Sequence, residues 1–477
     1  MPLAVFKTVD GALHVPRWVR LPCTLAVNRQ DPAALESPAT DIAALVEPGR
    51  TSMLAALRYR DFRLFWFGLL VSNIGTWMQQ FGMGWLVVQL AVRDGTPHLA
   101  PLYLGLTGLA RALPGLGLGL VAGAVADRAE RRRLLLITQT TAGLIAALLA
   151  LLTISNTITI WAILLIGAAS STVFSFDAPT RQSMVPRLVP PRDLMSAIGL
   201  NSAAFNGPQI IGPAIGGILI VPFGPGGLFL VNALSYLAVV VALVLMRPIP
   251  PLVRAPGTDM LSRVRNGLRY IRNDPVLKWV IILVATTAFL SRPYVFLMPA
   301  VATNVFGVGA TELSWLIAAS GVGAFTGSIV VANLGGVRDR GRLFLLGAGL
   351  SGLALTAFAL QRSLGTALIA TLVASLFTMA FVGLANTILQ TNSPDHMLGR
   401  VMSVYTMFFM GVMPLGQLVE GALGSVFGVE EVLFVAGILT AVAATYVYIR
   451  VRAVRELTAD RRPHPHPHAV QSRSLAE

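Results

Sequence analysis

Three charged side chains stand where charge is expensive. Arg111, Arg292 and Glu420 each interrupt an apolar run long enough to cross a bilayer. A lone charge near mid-membrane costs about 3 kcal/mol on insertion scales, so each requires a polar cavity or a partner. At about 1.5 Å of rise per residue, all three sit roughly 10 to 15 Å from the same face of the membrane. One carboxyl with two guanidinium groups at similar depth can act as a gate that makes and breaks. It can also exchange a coupling proton, or form a static pair that serves packing alone. Arg111 is the first candidate partner of Glu420 and Arg292 the second, and such a pair is expected to form when that face closes.

Other chemistry is sparse. Cys23 is the single cysteine, so no intramolecular disulfide or thiol pair can form. There is no Walker A loop and no HExxH, and no span associates a nucleophile, a histidine and a carboxylate, so neither an enzymatic reaction nor a cofactor is expected. His464, His466 and His468 alternate with prolines and could meet a soft divalent metal. Without fixed geometry an extended Pro-rich tail is the better reading, and no metal site is assigned. Polar residues of the first span, Asn73, Gln79, Gln80 and Gln89, include no acid. The aromatic residues Trp77, Trp85, Phe289, Tyr294, Tyr405, Phe408 and Phe409 are candidates to line a path for bulky amphiphiles.

The elements that carry these residues follow from composition. Of 477 residues 55% are hydrophobic and 12% charged, with mean hydropathy +0.71. A soluble domain carries about 25% charge, and the net charge of +14 falls between apolar runs, which argues for a bilayer and against nucleic acid as partner. With roughly 20 apolar residues needed per crossing, twelve spans are expected: 64–90, 101–125, 134–152, 157–176, 197–221, 228–246, 279–300, 313–334, 343–360, 364–388, 404–427 and 432–449. The segments on the side of the termini hold 32 of the 36 Lys and Arg, so both termini are expected in the cytoplasm.

The spans divide six and six around residues 247–278, which hold Pro248, Pro250, Pro251 and Pro256 ahead of an amphipathic run over 261–271 whose Arg263, Arg265, Arg269 and Arg272 suit anionic headgroups. The expected organisation is therefore a tail (1–53) without a cleavable signal, a helical bundle (54–246), a cytoplasmic linker (247–278), a second bundle (279–449) and a tail (450–477). The halves echo each other. Gly123, Asp127 and Arg128 recur 212 residues later as Gly335, Asp339 and Arg340, and Gly207, Gly212 and Gly217 recur 204 residues later as Gly411, Gly416 and Gly421. Gly115, Gly119 and Gly123 lie four residues apart, one face suited to close helix approach. Parallel six-helix repeats of this kind build a class of transporters.

At these residues the chain resembles the major facilitator superfamily. Gly123, Asp127, Arg128, Arg131 and Arg132 look like its loop signature between helices two and three, with Glu130 in place of a glycine. Gly212, Pro213, Gly216 and Gly217 resemble its antiporter signature in helix five. The segments beginning at Tyr59, at Asp177 with Pro179 and Arg181, and at Leu398 with Arg400 and Ser403 look like the branch of the enterobactin exporter and macrolide efflux pumps. The resemblance implies an all-α membrane fold of two six-helix bundles, with helix two beside helix eleven and helix five beside helix eight. It places Asp127 near the start of span eleven at Arg400, and Asp339 near the start of span five at Arg192. A carboxylate at a helix N-terminus is attracted by its partial positive charge, so each could latch the cytoplasmic side shut. The plainer alternative is that Asp127 neutralises its own arginine cluster. The expected function is export of a hydrophobic or amphiphilic small molecule, drug or siderophore-like, by alternating access with proton coupling, as a monomer in a bacterial plasma membrane. A metal exporter and a non-transporting receptor or scaffold are the alternatives.

Overall fold

The computed structural model describes residues 54–247, 260–333 and 339–458, and regular structure in them is entirely helical. Apolar runs make the helices, and short turns with few residue types that tolerate them separate the runs. α1 (Arg60–Arg93) ends at Gly95, whose φ of 72° favours glycine, and α2 (Ala100–Arg128) follows with proline in its first turn. α3 (Arg131–Ile154) is followed by α4 (Ile160–Met184), where the Thr159 hydroxyl accepts the Ala162 N–H as an N-cap. α5 (Leu194–Asn206) leads into α6 (Pro208–Leu245), which turns at Gly224 with φ 64° between Pro222 and Pro225. The fifth and sixth expected spans meet at that turn.

The amphipathic run folds as α7 (Met260–Asn273), with Arg265, Arg269 and Arg272 exposed. Asp274 then caps α8 (Pro275–Leu290) by accepting the N–H groups of Val276 and Leu277. α8 and α9 (Tyr294–Asn304) are separated at Ser291, Arg292 and Pro293. The chain continues through α10 (Ala310–Asn333), α11 (Arg340–Ala359), α12 (Leu364–Thr391), α13 (Asp395–Phe427), α14 (Val429–Arg450) and the short α15 (Arg452–Arg455). Among the described residues nine stretches are long and apolar enough to cross a membrane, one of them the 55 residues Pro191–Leu245 that hold two expected spans. α1 and α2, with 34 and 29 residues, lie outside that count, so it does not by itself reproduce twelve.

Helix pairing repeats along the chain. α1 packs on α6, α2 on α4 and α3 on α6; later α8 packs on α13, α10 on α12 and α11 on α14. The main contacts that join the sets are α2 with α13 and α6 with α10, and α9 adds smaller ones with α1 and α2. The turn between α2 and α3, the turn before α5 and α7 all lie at one end of the helices, here the basic end, and the turns at Gly95, Asn156, Gly307 and Gly428 lie at the far end.

The buried apolar residues divide unequally between these ends. At the far end one core is continuous, running from Met78, Leu104 and Phe229 to Tyr294, Leu313, Phe358 and Leu433. At the basic end there are two separate cores, one around Phe62, Phe65 and Leu243 and one around Val280, Phe344, Phe381 and Val447. Ile137, Leu144 and Leu151, on one face of α3, are 64%, 66% and 64% exposed, which in this fold is the surface for lipid.

Candidate functional site

Between the sets of helices, below the shared core, lies a partly open cavity. Trp77, Phe81, Phe296, Pro299 and Ile317 give it apolar walls, and Gln80, Thr107, Arg292, Tyr294, Ser320, Ser375 and Gln417 supply polar groups. The Tyr294 hydroxyl lies 2.5 Å from Ser375 Oγ, which lies 2.7 Å from Ser320 Oγ, a chain of hydroxyls along one wall. Arg292 sits in the break between α8 and α9, where Ser291 is fixed to Thr440 at 2.8 Å. Its guanidinium carbon stands 4.8 Å from the Phe409 ring centroid, and Phe409 in turn stacks on Tyr405 at 5.7 Å. Of the aromatic residues singled out from sequence, Trp77 and Tyr294 reach the cavity wall and Phe409 carries the arginine.

The expected Glu420 pair is not made. Glu420 is 2% exposed, and neither carboxyl oxygen has a hydrogen-bond partner or a basic nitrogen within ion-pair reach among the described residues. Arg111 is held elsewhere: its guanidinium donates to Gln80 Oε1, its carbonyl accepts from the Ser171 hydroxyl, and Gly167 lies against its stem. Arg292 lies over Phe409, eleven residues and about 16 Å along α13 from Glu420. The pair was expected when that face closes, yet α2 and α13 are already tightly packed there. The reason is rotational phase. Gln417 and Gly421 face α2, whereas Gly416 abuts the Phe289 backbone of α8, and Glu420 lies nearer the Gly416 direction, about 80° round the helix from α2.

The small residues mark where helices touch. A Cβ at Gly105 would come 2.8 Å from the Gln417 carbonyl, and one at Gly421 would strike the Pro101 carbonyl, so α2 and α13 cross in close contact at the far end. Gly217 abuts Ser314 of α10 there, while Gly212 and Gly216 seat α6 on Trp77, Met78 and Phe81 of α1, with Pro213 at the cavity wall. The face expected to allow close approach on α2 does not do so: Gly119 and Gly123 have nothing within 4 Å of an added Cβ, and Gly115 only Ser171 at 3.9 Å. α2 and α13 therefore touch at the far end, and toward the basic end the face of α2 that carries Gly119 and Gly123 is open.

Around the loop signatures the described contacts stay within one set of helices or the other. Asp127 and Arg128 close α2, and their side chains lie outside the described residues. Arg131 is buried and donates to Ser183 of α4 at 2.8 Å, and Arg132 donates to the Leu243 and Val244 carbonyls at the end of α6, at 2.6 and 2.9 Å. Asp339 is exposed and 3.5 Å from Arg342 of its own turn, Arg340 opens α11, and Arg192 lies 3.6 Å from Asp193. Arg400 contacts Met397, and its carbonyl receives Gly267 of α7. Asp339 and Arg192 are not joined. His464, His466 and His468 lie outside the described residues, as do 1–53.

One polar cluster escaped the site reading from sequence. Asp177 and Arg181 of α4 form a buried ion pair at 2.7 Å, with side chains 4% and 5% exposed. Thr138 and Gln139 of α3 donate to the second Asp177 oxygen at 3.0 and 2.7 Å. Arg181 reaches Asn73 of α1 at 3.3 Å and lies 4.9 Å from the Phe205 ring of α5. An acid four residues ahead of a base is the sequence signal for such a pair on a helix.

The sequence matches the family described as transmembrane secretion effector over residues 51–475. The chain belongs to the major facilitator superfamily. Among curated members it is 26% identical to the staphyloferrin A transporter of Staphylococcus aureus (strain NCTC 8325 / PS 47), over 82% of this chain and 96% of that one. It is 27% identical to the multidrug efflux pump Tap of Mycolicibacterium fortuitum, over 84% and 98%. Among solved structures it resembles a bacterial homologue of the human lysosomal transporter Spinster, inward-facing and occupied, with TM-score 0.67 and 16% identity over 83% of this chain and 98% of that one. A bacterial homologue of the iron transporter ferroportin, inward-facing, gives TM-score 0.61 and 17% identity over 81% and 98%. As a major facilitator, the protein is a multi-pass membrane transporter of a small molecule and not an enzyme.

Proposed function

We propose that this major facilitator exports an amphiphilic organic molecule by alternating access, and that its basic end is cytoplasmic. The observation that carries this reading is the unequal packing of the two ends: one continuous core at the far end, two separate cores at the basic end, and a cavity between them. In such a state substrate enters from the basic end. Rocking of residues 54–246 against 279–449 about the cavity, with 247–278 as tether, would close the basic end and open the other. The efflux and siderophore-transporter names of the relatives support the outward direction, and the positive charge of the basic end supports its cytoplasmic side. Glu420 is the proposed proton site, because a buried carboxyl without a partner is the group whose charge such a cycle can switch. Asp127 and Asp339 are proposed to engage helix starts only when the basic end shuts. The working unit is proposed to be a monomer in the bacterial inner membrane.

The test has two arms. Reporter fusions at Gly95 and Gly428 are expected outside and a fusion at Pro256 inside; a cytoplasmic signal from Gly95 would overturn the orientation. Cells with and without the protein are compared for accumulation of dyes, macrolides, siderophores and nickel. Lower accumulation of an organic compound is expected, and an effect confined to nickel would favour the metal-exporter alternative.

A further inference from the structure

We propose that the cavity binds the anionic end of its substrate, a carboxylate-bearing amphiphile, on the guanidinium of Arg292. This deepens the export reading and rests on it for the identity of the cavity.

Arg292 is a cation whose hydrogen-bonding capacity is unspent. It lines the cavity, its side chain makes no ion pair and no hydrogen bond among the described residues, and its guanidinium carbon lies 4.8 Å from the Phe409 ring centroid. The phenyl ring offers its N–H groups no conventional acceptor. The five N–H donors lie in the plane of the group and are left for a ligand, in the fork that matches a carboxylate. The ring of Phe409, itself backed by Tyr405, restrains the group before any ligand arrives, which lowers the entropy lost on binding.

The rest of the cavity agrees in sign. A second cation, Arg111, stands behind Gln80 and is likewise without an acid. The acids that could neutralise the site are engaged or out of reach: Asp177 is paired with Arg181, and Glu420 is buried on α13, eleven residues along that helix from Phe409, with no cation within ion-pair distance among the described residues. A lipophilic cation would enter a field of two guanidinium charges in a poorly screened space, whereas an anion is drawn to it. The apolar walls at Trp77, Phe81, Phe296 and Ile317 suit the remainder of an amphiphile.

Trp77 at the cavity wall allows binding to be read by energy transfer to a pyrene group. Purified full-length protein in nanodiscs is titrated with pyrenebutyrate, its methyl ester and pyrenemethylammonium. The carboxylate is expected to bind at least about tenfold more tightly than either. Arg292→Gln is expected to abolish that preference. Arg292→Lys keeps the charge without the planar fork and is expected to retain only part of it. Phe409→Leu, which removes the ring against the guanidinium, is expected to weaken carboxylate binding several-fold while leaving the ester unchanged. Equal affinity for the three probes, preference for the ammonium compound, or a carboxylate preference kept in full by Arg292→Gln would overturn the proposal. If Arg292→Gln does not fold, an undiminished preference in both Arg292→Lys and Phe409→Leu overturns it. Efflux from proteoliposomes is measured separately. Carboxylate preference without transport would defeat the export reading and leave the anion site standing, and transport with cation preference would do the reverse.

Discussion

The side-chain amide of Gln417 donates to the main-chain carbonyl of Leu104 at 2.7 Å, joining α13 to α2 across 313 residues of sequence. The bond lies where Gly105 and Gly421 let the two backbones meet, so the far-end closure is built from missing side chains as much as from contacts. In the proposed cycle such a closure must also open, which makes it a place where small changes bias the conformational equilibrium.

Gly421→Val is expected to destabilise the closed far end by about 1–3 kcal/mol, because its Cβ would strike the Pro101 carbonyl and helix backbone cannot give way as a flexible side chain can. Gln417→Leu, which removes one hydrogen bond, is expected to shift the balance by about 1 kcal/mol. A cysteine placed at Thr107, on the cavity wall, reports both in a Cys23→Ser background. Labelling by a membrane-impermeant reagent from the far side should rise more in Gly421→Val than in Gln417→Leu. Unchanged labelling in both would show that the crossing is not the closure.

The Asp177 cluster is expected to be structural. Asp177→Asn leaves Arg181 buried and uncompensated, with a predicted loss of about 3–5 kcal/mol, whereas the double change Asp177→Leu with Arg181→Leu should be milder than the single one. The thermal transition of the detergent-solubilised protein measures this. A double variant less stable than Asp177→Asn would point instead to a network whose members are worth more together than the pair alone.

Hydropathy made the helices legible in the sequence, and spacing made the repeated glycines and loop signatures legible. What it could not supply was helix ends and rotation. Asp177 and Arg181 lower the hydropathy of their segment, so the fourth span was expected to stop at 176, yet their mutual pairing carries α4 on to Met184. Likewise α13 begins at Asp395, nine residues ahead of the expected 404, because its charged first turns pack beside α7 and α8 and not in lipid. That Glu420 lies within a span was readable, but its direction was not: an error of one residue in phase turns a side chain by about 100°. The placement of Gly115, Gly119 and Gly123 failed for another reason, since a glycine stripe shows that a helix can be approached and not that a neighbour is there.

Arg132 is expected to matter for stability. It satisfies two of the carbonyls that the end of α6 leaves without intrahelical partners, and a cation there also suits the negative end of the helix dipole. Arg132→Ala should lower stability by about 1–2 kcal/mol, and Arg132→Lys, with a single ammonium, should recover part of that. Amide exchange at the end of α6 should rise selectively. Exchange unchanged at Leu243 to Leu245, with a defect in transport, would assign Arg132 to conformational switching and not to capping.

Glu420→Gln separates packing from coupling. Glutamine keeps the shape of the side chain, and the site offers the carboxyl no counter-charge that the amide would forfeit, so expression and thermal stability should stay near those of the parent protein. If Glu420 exchanges the coupling proton, the variant loses uphill efflux and its dependence on the proton gradient, while substrate exchange at equal concentrations on both sides persists, since exchange needs the conformational cycle and not the ion. Arg111→Ala provides the contrast: the Arg111 guanidinium donates to Gln80 of the cavity wall, so its loss should disturb that wall and substrate affinity without removing the dependence on the gradient. Efflux from proteoliposomes at several imposed pH gradients distinguishes the two. Gradient-driven efflux by Glu420→Gln at the level of the parent protein would remove Glu420 from the coupling step and leave it a buried polar group of the α8 and α13 contact.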